Sequence, residues 1–182
     1  MSKAALALFI AVLQPQAGRA ADSFAQHQAN ALNAFKKGRY SEAVTEFRAA
    51  EKLNPHADGI HKDLGLALFQ DKQFSEAVTE LGAARAEHPA DMQVLLALGT
   101  SLARLQRLDD AQAVFADLLR RYPNSAPLHL LWGQAYAAQA QDVPAEEEFR
   151  EALKLDPTLP QIHYNLGLIL LKQHKLTEAI GE

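Results

Sequence analysis

Between Phe24 and Glu182, apolar residues recur at i, i+3 and i+4, the stripe of an amphipathic helix, in stretches broken by short turns with glycine or proline. His61, Leu64 and Leu68 lie on one such stripe. The pattern is clearest from Glu146 to Leu171, read EEEFREALKLDPTLPQIHYNLGLILL. There one amphipathic segment ends at Asp156-Pro157, two residues intervene, and a second opens with Pro160, because proline suits a first helical turn and breaks an interior. The stretch predicts a helix, a tight turn and a helix.

Its punctuation recurs along the chain with a spacing of 34 residues: Pro55, Pro89, Pro123 and Pro157; Gly65, Gly99, Gly133 and Gly167; Ala43, Ala77, Ala111, Ala145 and Ala179. Three residue types locked to one period define a repeat array. The repeats run over 24–57, 58–91, 92–125, 126–159 and a truncated 160–182. In the first, helices are expected over about 24 to 37 and 41 to 53, with Gly38 between them in the left-handed region. Ser41, Ser75 and Asp109 are read as caps of the second helices of their repeats. The fourth repeat has Ala140-Gln141-Asp142-Val143-Pro144 where the others turn, so that turn is expected to be irregular. Glycine in a helix interior costs about 1 kcal/mol relative to alanine. The mid-helix glycines therefore mark points where two helices approach too closely for a side chain.

The period and the residues at set offsets resemble the tetratricopeptide repeat family. The closest copies are Trp132-Gly133, Tyr136, Ala145, Phe149, Ala152 and Pro157, and Leu64-Gly65, Leu68, Phe74, Ala77, Leu81, Ala84 and Pro89. The resemblance implies an all-α, right-handed superhelical solenoid of antiparallel helix pairs, about four and a half units, stabilised by stacking of neighbours. It also implies a concave groove lined by the first helix of each pair. Carried over by register, the partner-binding residues are Phe35, Lys62, Leu66, Phe69, Leu96, Arg104, Leu130, Gln134, Tyr164, Asn165, Leu168 and Lys172. Each apolar member either faces a partner or fills a gap between helices, and the sequence leaves that open. Some members of the family clamp a C-terminal carboxylate with lysine, asparagine and arginine. Here Lys62 is followed by Leu66 where asparagine would be needed, which disfavours that ligand.

Residues 1–20 differ in kind. Lys3 precedes the apolar run ALALFIAVL, then Gln14-Pro15, then Gly18-Arg19-Ala20. A positive start, a short apolar core and small residues before Ala21 predict a secretory signal peptide, leaving 21–182 as the array. The run is too short to span a bilayer as a helix. The expected location is therefore periplasmic or secreted, without stable membrane insertion. With no cysteine, the chain has no disulfide, no thiolate nucleophile and no lipid-bearing residue. A formal charge of −4 with interspersed signs offers no basic patch for nucleic acid.

No phosphate loop, nucleophile elbow or paired-histidine metalloprotease motif occurs, so no catalysis and no cofactor are expected. His27, His61, His129 and His163 share one repeat position. Stacked repeats hold equivalent residues at least one helix packing distance apart, about 8–10 Å, so the four cannot share an ion. They read as packing residues, with titration near pH 6 the weaker reading. The functional expectation is a non-catalytic scaffold that binds a protein or peptide. Two other readings stand beside it: the non-catalytic arm of a larger exported enzyme, and a homo-oligomer assembled through the uncovered fifth repeat.

Overall fold

The computed structural model describes residues 23–181, so the expected signal peptide lies outside the described residues. Ten α-helices follow in order: α1 Phe24–Lys36, α2 Tyr40–Leu53, α3 Ile60–Gln70, α4 Phe74–Glu87, α5 Met92–Arg104, α6 Leu108–Arg121, α7 Ala126–Ala138, α8 Asp142–Leu155, α9 Pro160–Lys172 and α10 Leu176–Gly181. Consecutive helices pack against each other, and α3, α5, α7 and α9 also touch in succession. The odd-numbered helices thus form one wall of an all-α solenoid.

Glycine is sterically required at three stacked positions. A Cβ on Gly65 would lie 2.8 Å from Leu81 Cγ, on Gly99 2.9 Å from Phe115 Cε2, and on Gly133 2.6 Å from Phe149 Cδ1. Each partner comes from the second helix of the same repeat and is fully buried. The core is continuous along the array, with Phe47, Phe115 and Phe149 its largest fully enclosed side chains.

The turn inside every repeat has one geometry. Gly38 has φ +72°, and Lys72, Gln106, Ala140 and His174, each 34 residues on, have φ between 56° and 62°. The residue after each donates its N–H back into the first helix: Arg39 to Ala34 O at 2.9 Å, Gln141 to Tyr136 O at 3.0 Å. The fourth turn is therefore regular, contrary to the sequence expectation. This backbone bond and the packing on both sides hold Ala140 left-handed without glycine.

The predicted caps are also corrected. The second helices begin one residue earlier than expected, at Tyr40, Phe74 and Leu108, and Arg39, Gln73 and Arg107 precede them without a side-chain cap bond. Ser41, Ser75 and Asp109 are thus second residues of their helices, because the left-handed turn returns the chain to helix at once. Ser41 Oγ instead donates to Asp71 Oδ1 of the next repeat at 2.6 Å. True caps are Ser23, which accepts from Gln26 N, and Asp91, which accepts from Gln93 and Val94 N. The last helix leaves Leu176 and Ile180 exposed, the latter at 86%.

Candidate functional site

Two clefts open between α5, α7 and α9. The more apolar one, about 500 Å³, is bounded by Met92, Leu96, Pro127, Leu128, Leu130, Leu131, Gln134 and Gln161. The other, about 340 Å³, is bounded by Thr100, Ala103, Arg104, Leu131, Gln134, Ala135, Ala138 and Asn165, with Phe115 at its base. Leu131 and Gln134 belong to both, so the clefts adjoin. Arg104 makes no hydrogen bond or ion pair among the described residues, leaving a fully charged guanidinium at the rim.

Of the residues expected in the groove, Leu96, Arg104, Leu130, Gln134 and Asn165 come together at these clefts. Leu130 is only 7% exposed and offers an edge rather than a surface. Tyr164 at 68% and Leu168 at 42% are open. Phe35 meets Tyr40 edge-on at 5.4 Å and Phe69 meets Phe74 at 6.2 Å, so both brace the turn of their repeat against the opening aromatic of the second helix. Leu66 is half-buried against the core. Lys62 Nζ donates to Asp91 Oδ2 at 2.6 Å, tying α3 to the cap of α5, and Lys172 Nζ lies 3.6 Å from Asp142 Oδ1. Burial pushes the Asp63 carboxyl up, opposed by Lys62. Burial also lifts Asp91, but Lys62 and the Val94 and Gln93 amides outweigh it and hold Asp91 below the usual range. Leu131, Ala103 and Ala135 were missed. The register that yields Asn165 also reaches Leu131, which shares its repeat position.

The histidines have a structural role. His27 pairs with Glu46 at 2.7 Å, His61 with Glu80 and His129 with Glu148 at 2.8 Å, each from Nδ1 across 19 residues. Each pair pins the first helix of a repeat to the second. In the third repeat the same two positions hold Leu95 and Val114, both buried, so an apolar pair replaces the hydrogen-bonded one. His163 lies with Nε2 3.2 Å from Pro157 O, as His129 does from Pro123 O, and only the donor role fits a carbonyl.

His61 is set apart by further carboxylates: Glu51 Oε1 at 3.6 Å from Nδ1 and Glu87 Oε1 at 3.9 Å from Nε2. The hydrogen bond to Glu80 raises the His61 pKa against the opposing effect of burial. Burial, then the Glu80 charge, raise Glu51. Glu51, His61 and Glu80 offer donor atoms within 4.8 Å of one another, a set a divalent cation would fit after modest contraction. A proton on His61 would supply one positive charge to the same carboxylates and would block the Nδ1 lone pair that a metal needs.

The profile of the tetratricopeptide repeat matches residues 29–91 and 63–126, and a further TPR repeat profile matches 144–174. The chain belongs to the tetratricopeptide repeat family. A search of curated protein sequences finds no match. Among solved structures, MamA residues 41 to the end from Desulfovibrio magneticus RS-1 is similar at 19% identity and TM-score 0.76, over 87% of this chain and 89% of that one. A tetratricopeptide repeat protein from Parabacteroides merdae has 16% identity and TM-score 0.71, over 86% and 62%. A thermophilic TPR protein from Thermus thermophilus has 26% identity and TM-score 0.61, over 87% of each chain. These likenesses establish the repeat fold, which generally serves protein interaction rather than catalysis. Among the described residues no helix is long and apolar enough to cross a membrane.

Proposed function

We propose that the protein is an exported, non-catalytic scaffold that holds an extended segment of a protein partner along the wall formed by α5, α7 and α9. The observation that carries this reading is the pair of adjoining clefts, one apolar and one edged by the unpaired Arg104. An apolar strip rimmed by polar groups on a repeat array is the usual form of a partner surface. The family's non-catalytic character supports the absence of chemistry. Export rests on Lys3, the apolar run after it and the small residues at Gly18 and Ala20.

Site-resolved photo-crosslinking tests the groove. A photoreactive residue at Gln134, exposed and common to both clefts, is expected to trap a discrete partner in the producing cell. The same group at the exposed Thr79 of α4 is not. Equal trapping at both positions, or none at Gln134, refutes groove binding. N-terminal sequencing of the mature chain tests export: it should begin at Ala21, and a retained Met1 or Ser2 overturns it.

A further inference from the structure

A third cleft, about 510 Å³, lies away from the proposed groove, between α4 and α6, and is bounded by Arg85, Pro89, Ala113, Ala116, Asp117, Arg120 and Arg121. Arg120 and Arg121 both pair with the one carboxylate of Asp117, the latter at 3.3 Å. Their hydrogen bonds, that of Arg121 foremost, hold Asp117 below the usual carboxylate range. Arg85 has no ion pair or hydrogen bond among the described residues. Three arginines therefore line a cleft that holds one carboxylate, two of them paired with it.

This arrangement is not a requirement of the repeat. The position of Arg85 holds Glu51 one repeat earlier and Leu119 one repeat later; that of Arg121 holds Leu53 and Glu87 in the two preceding repeats and Leu155 in the following one. Ala113 and Ala116, whose small side chains leave the cleft open, become Glu147 and Arg150 in the next repeat. A single basic residue in a last helical turn is ordinary, since it offsets the helix's own carbonyl end, as Lys52 does in α2 and Lys154 in α8. Here α6 carries two, and Arg85 from the last turn of α4 converges on them.

We infer that this cleft is an anion site for a phosphate monoester. The excess of two positive charges over Asp117 matches the phosphate dianion, and the planar guanidinium fork matches its oxygens. The cavity is larger than the phosphate alone, so the group that bears it rests against Pro89, Ala113 and Ala116. The phosphate can belong to a modified protein side chain or to a small metabolite, and both present the same dianion.

The test uses the full chain at low salt, titrated with inorganic phosphate, phosphoserine and a phosphoserine-containing peptide by calorimetry. Saturable binding is expected with all three probes. Arg85→Gln and Arg121→Gln should each weaken it roughly tenfold, as loss of a charge-assisted contact does, with an unchanged thermal melt. Lys154→Gln, a last-turn cation outside the cleft, should leave it unchanged. Affinity should fall as pH drops through about 6, where the dianion takes a proton. Tighter binding of the peptide than of phosphoserine assigns the site to a protein source, and equal binding assigns it to a small ester. Absence of saturation up to about 10 mM, beyond the millimolar affinities of weak sites, overturns the inference. So does unchanged affinity in the Arg85→Gln, Arg121→Gln double variant. Neither result bears on the groove formed by α5, α7 and α9.

Discussion

The same substitution at two helical glycines should change stability in opposite directions. Gly133 sits in α7, where a Cβ would stand 2.6 Å from both Cδ1 and Cε1 of Phe149. Carbon atoms in good contact lie about 3.5–4.0 Å apart, so the ring has to withdraw by about 1 Å. Phe149 is fully enclosed and has nowhere to go without displacing its neighbours. Such overpacking costs about 1–3 kcal/mol, against a gain of about 1 kcal/mol from replacing a helical glycine by alanine. Gly133→Ala should therefore lose about 1 kcal/mol on balance. Gly82 lies inside α4 with nothing within 4 Å of the place a methyl carbon would take, and Gly82→Ala should gain about 1 kcal/mol from propensity alone. Urea unfolding measures both, followed by far-ultraviolet circular dichroism for the whole array and by fluorescence of Trp132, the single tryptophan, for the seam at α7. Two probes are needed because stability in a repeat array is a sum of unit and interface terms. In a Phe149→Ala background, where no side-chain atom beyond Cβ remains to meet the added methyl, Gly133→Ala should recover most of its loss. A Gly133→Ala protein as stable as the parent refutes the close-approach account of the periodic glycines.

Three further outcomes follow from the geometry. Ala140→Gly should raise the stability of the fourth repeat by about 1 kcal/mol, since φ +56° is strained for alanine and free for glycine; an unchanged urea midpoint contradicts this. For His61 the folded pKa is raised above 6.5, so its contribution is full below that value and is lost as pH rises through the raised one. Lowering pH from about 8 to about 6 should accordingly raise the melting temperature, and His61→Gln should remove that increment; a melt indifferent to pH sinks it. Glu146, 9% exposed, accepts from Arg150 Nε at 2.9 Å and Lys175 Nζ at 2.7 Å and so ties α8 to the turn before α10. Burial raises its pKa, but the two cations outweigh that and hold it low, so this tie is present above pH 4.5 and lost as pH falls. Glu146→Ala should speed amide exchange in α10 several-fold without touching α1, and uniform exchange changes would refute a local tie.

The helix pairs were legible because their signals are steric. Glycine at 65, 99 and 133 is demanded by Leu81, Phe115 and Phe149 pressing from the partner helix, and no other residue type substitutes without displacement. The turn of the fourth repeat was misread because its left-handed residue is set by a backbone hydrogen bond, Gln141 N to Tyr136 O, which leaves no trace in residue type at Ala140. The caps were misplaced for the same reason: Ser41, Ser75 and Asp109 are good capping residues two positions past the observed cap sites Arg39, Gln73 and Arg107. Leu130 and Leu131 lie about 100° apart around α7 and correspond to Tyr164 and Asn165, so the register reached both positions, and Leu131 was lost by applying it to only one of them in the fourth repeat. The histidine pairs were available as a constant offset of 19 to glutamate, and the replacement of both partners together by Leu95 and Val114 fits their acting as a unit.

What distinguishes this array from a generic one is where its period breaks. Core positions repeat in kind, but the position series Glu51, Arg85, Leu119 and Leu153 changes sign and then loses charge along one ridge. The seam with Glu51 and Glu87 gathers three carboxylates around His61, and the next seam, with Arg85 and Arg121, opens onto a guanidinium cleft. Packing cannot require opposite charges at equivalent places, because the fold is the same at both. Along the wall of odd-numbered helices, the series Leu66, Thr100, Gln134 and Leu168 is apolar at its ends and polar in its middle, beside the unpaired Arg104. A segment lying along that wall would therefore meet apolar contacts at its ends, and at its centre hydrogen-bonding groups and a positive charge. Specificity in such an array resides in these departures from the repeat, since the positions that keep the period are committed to holding the helices together.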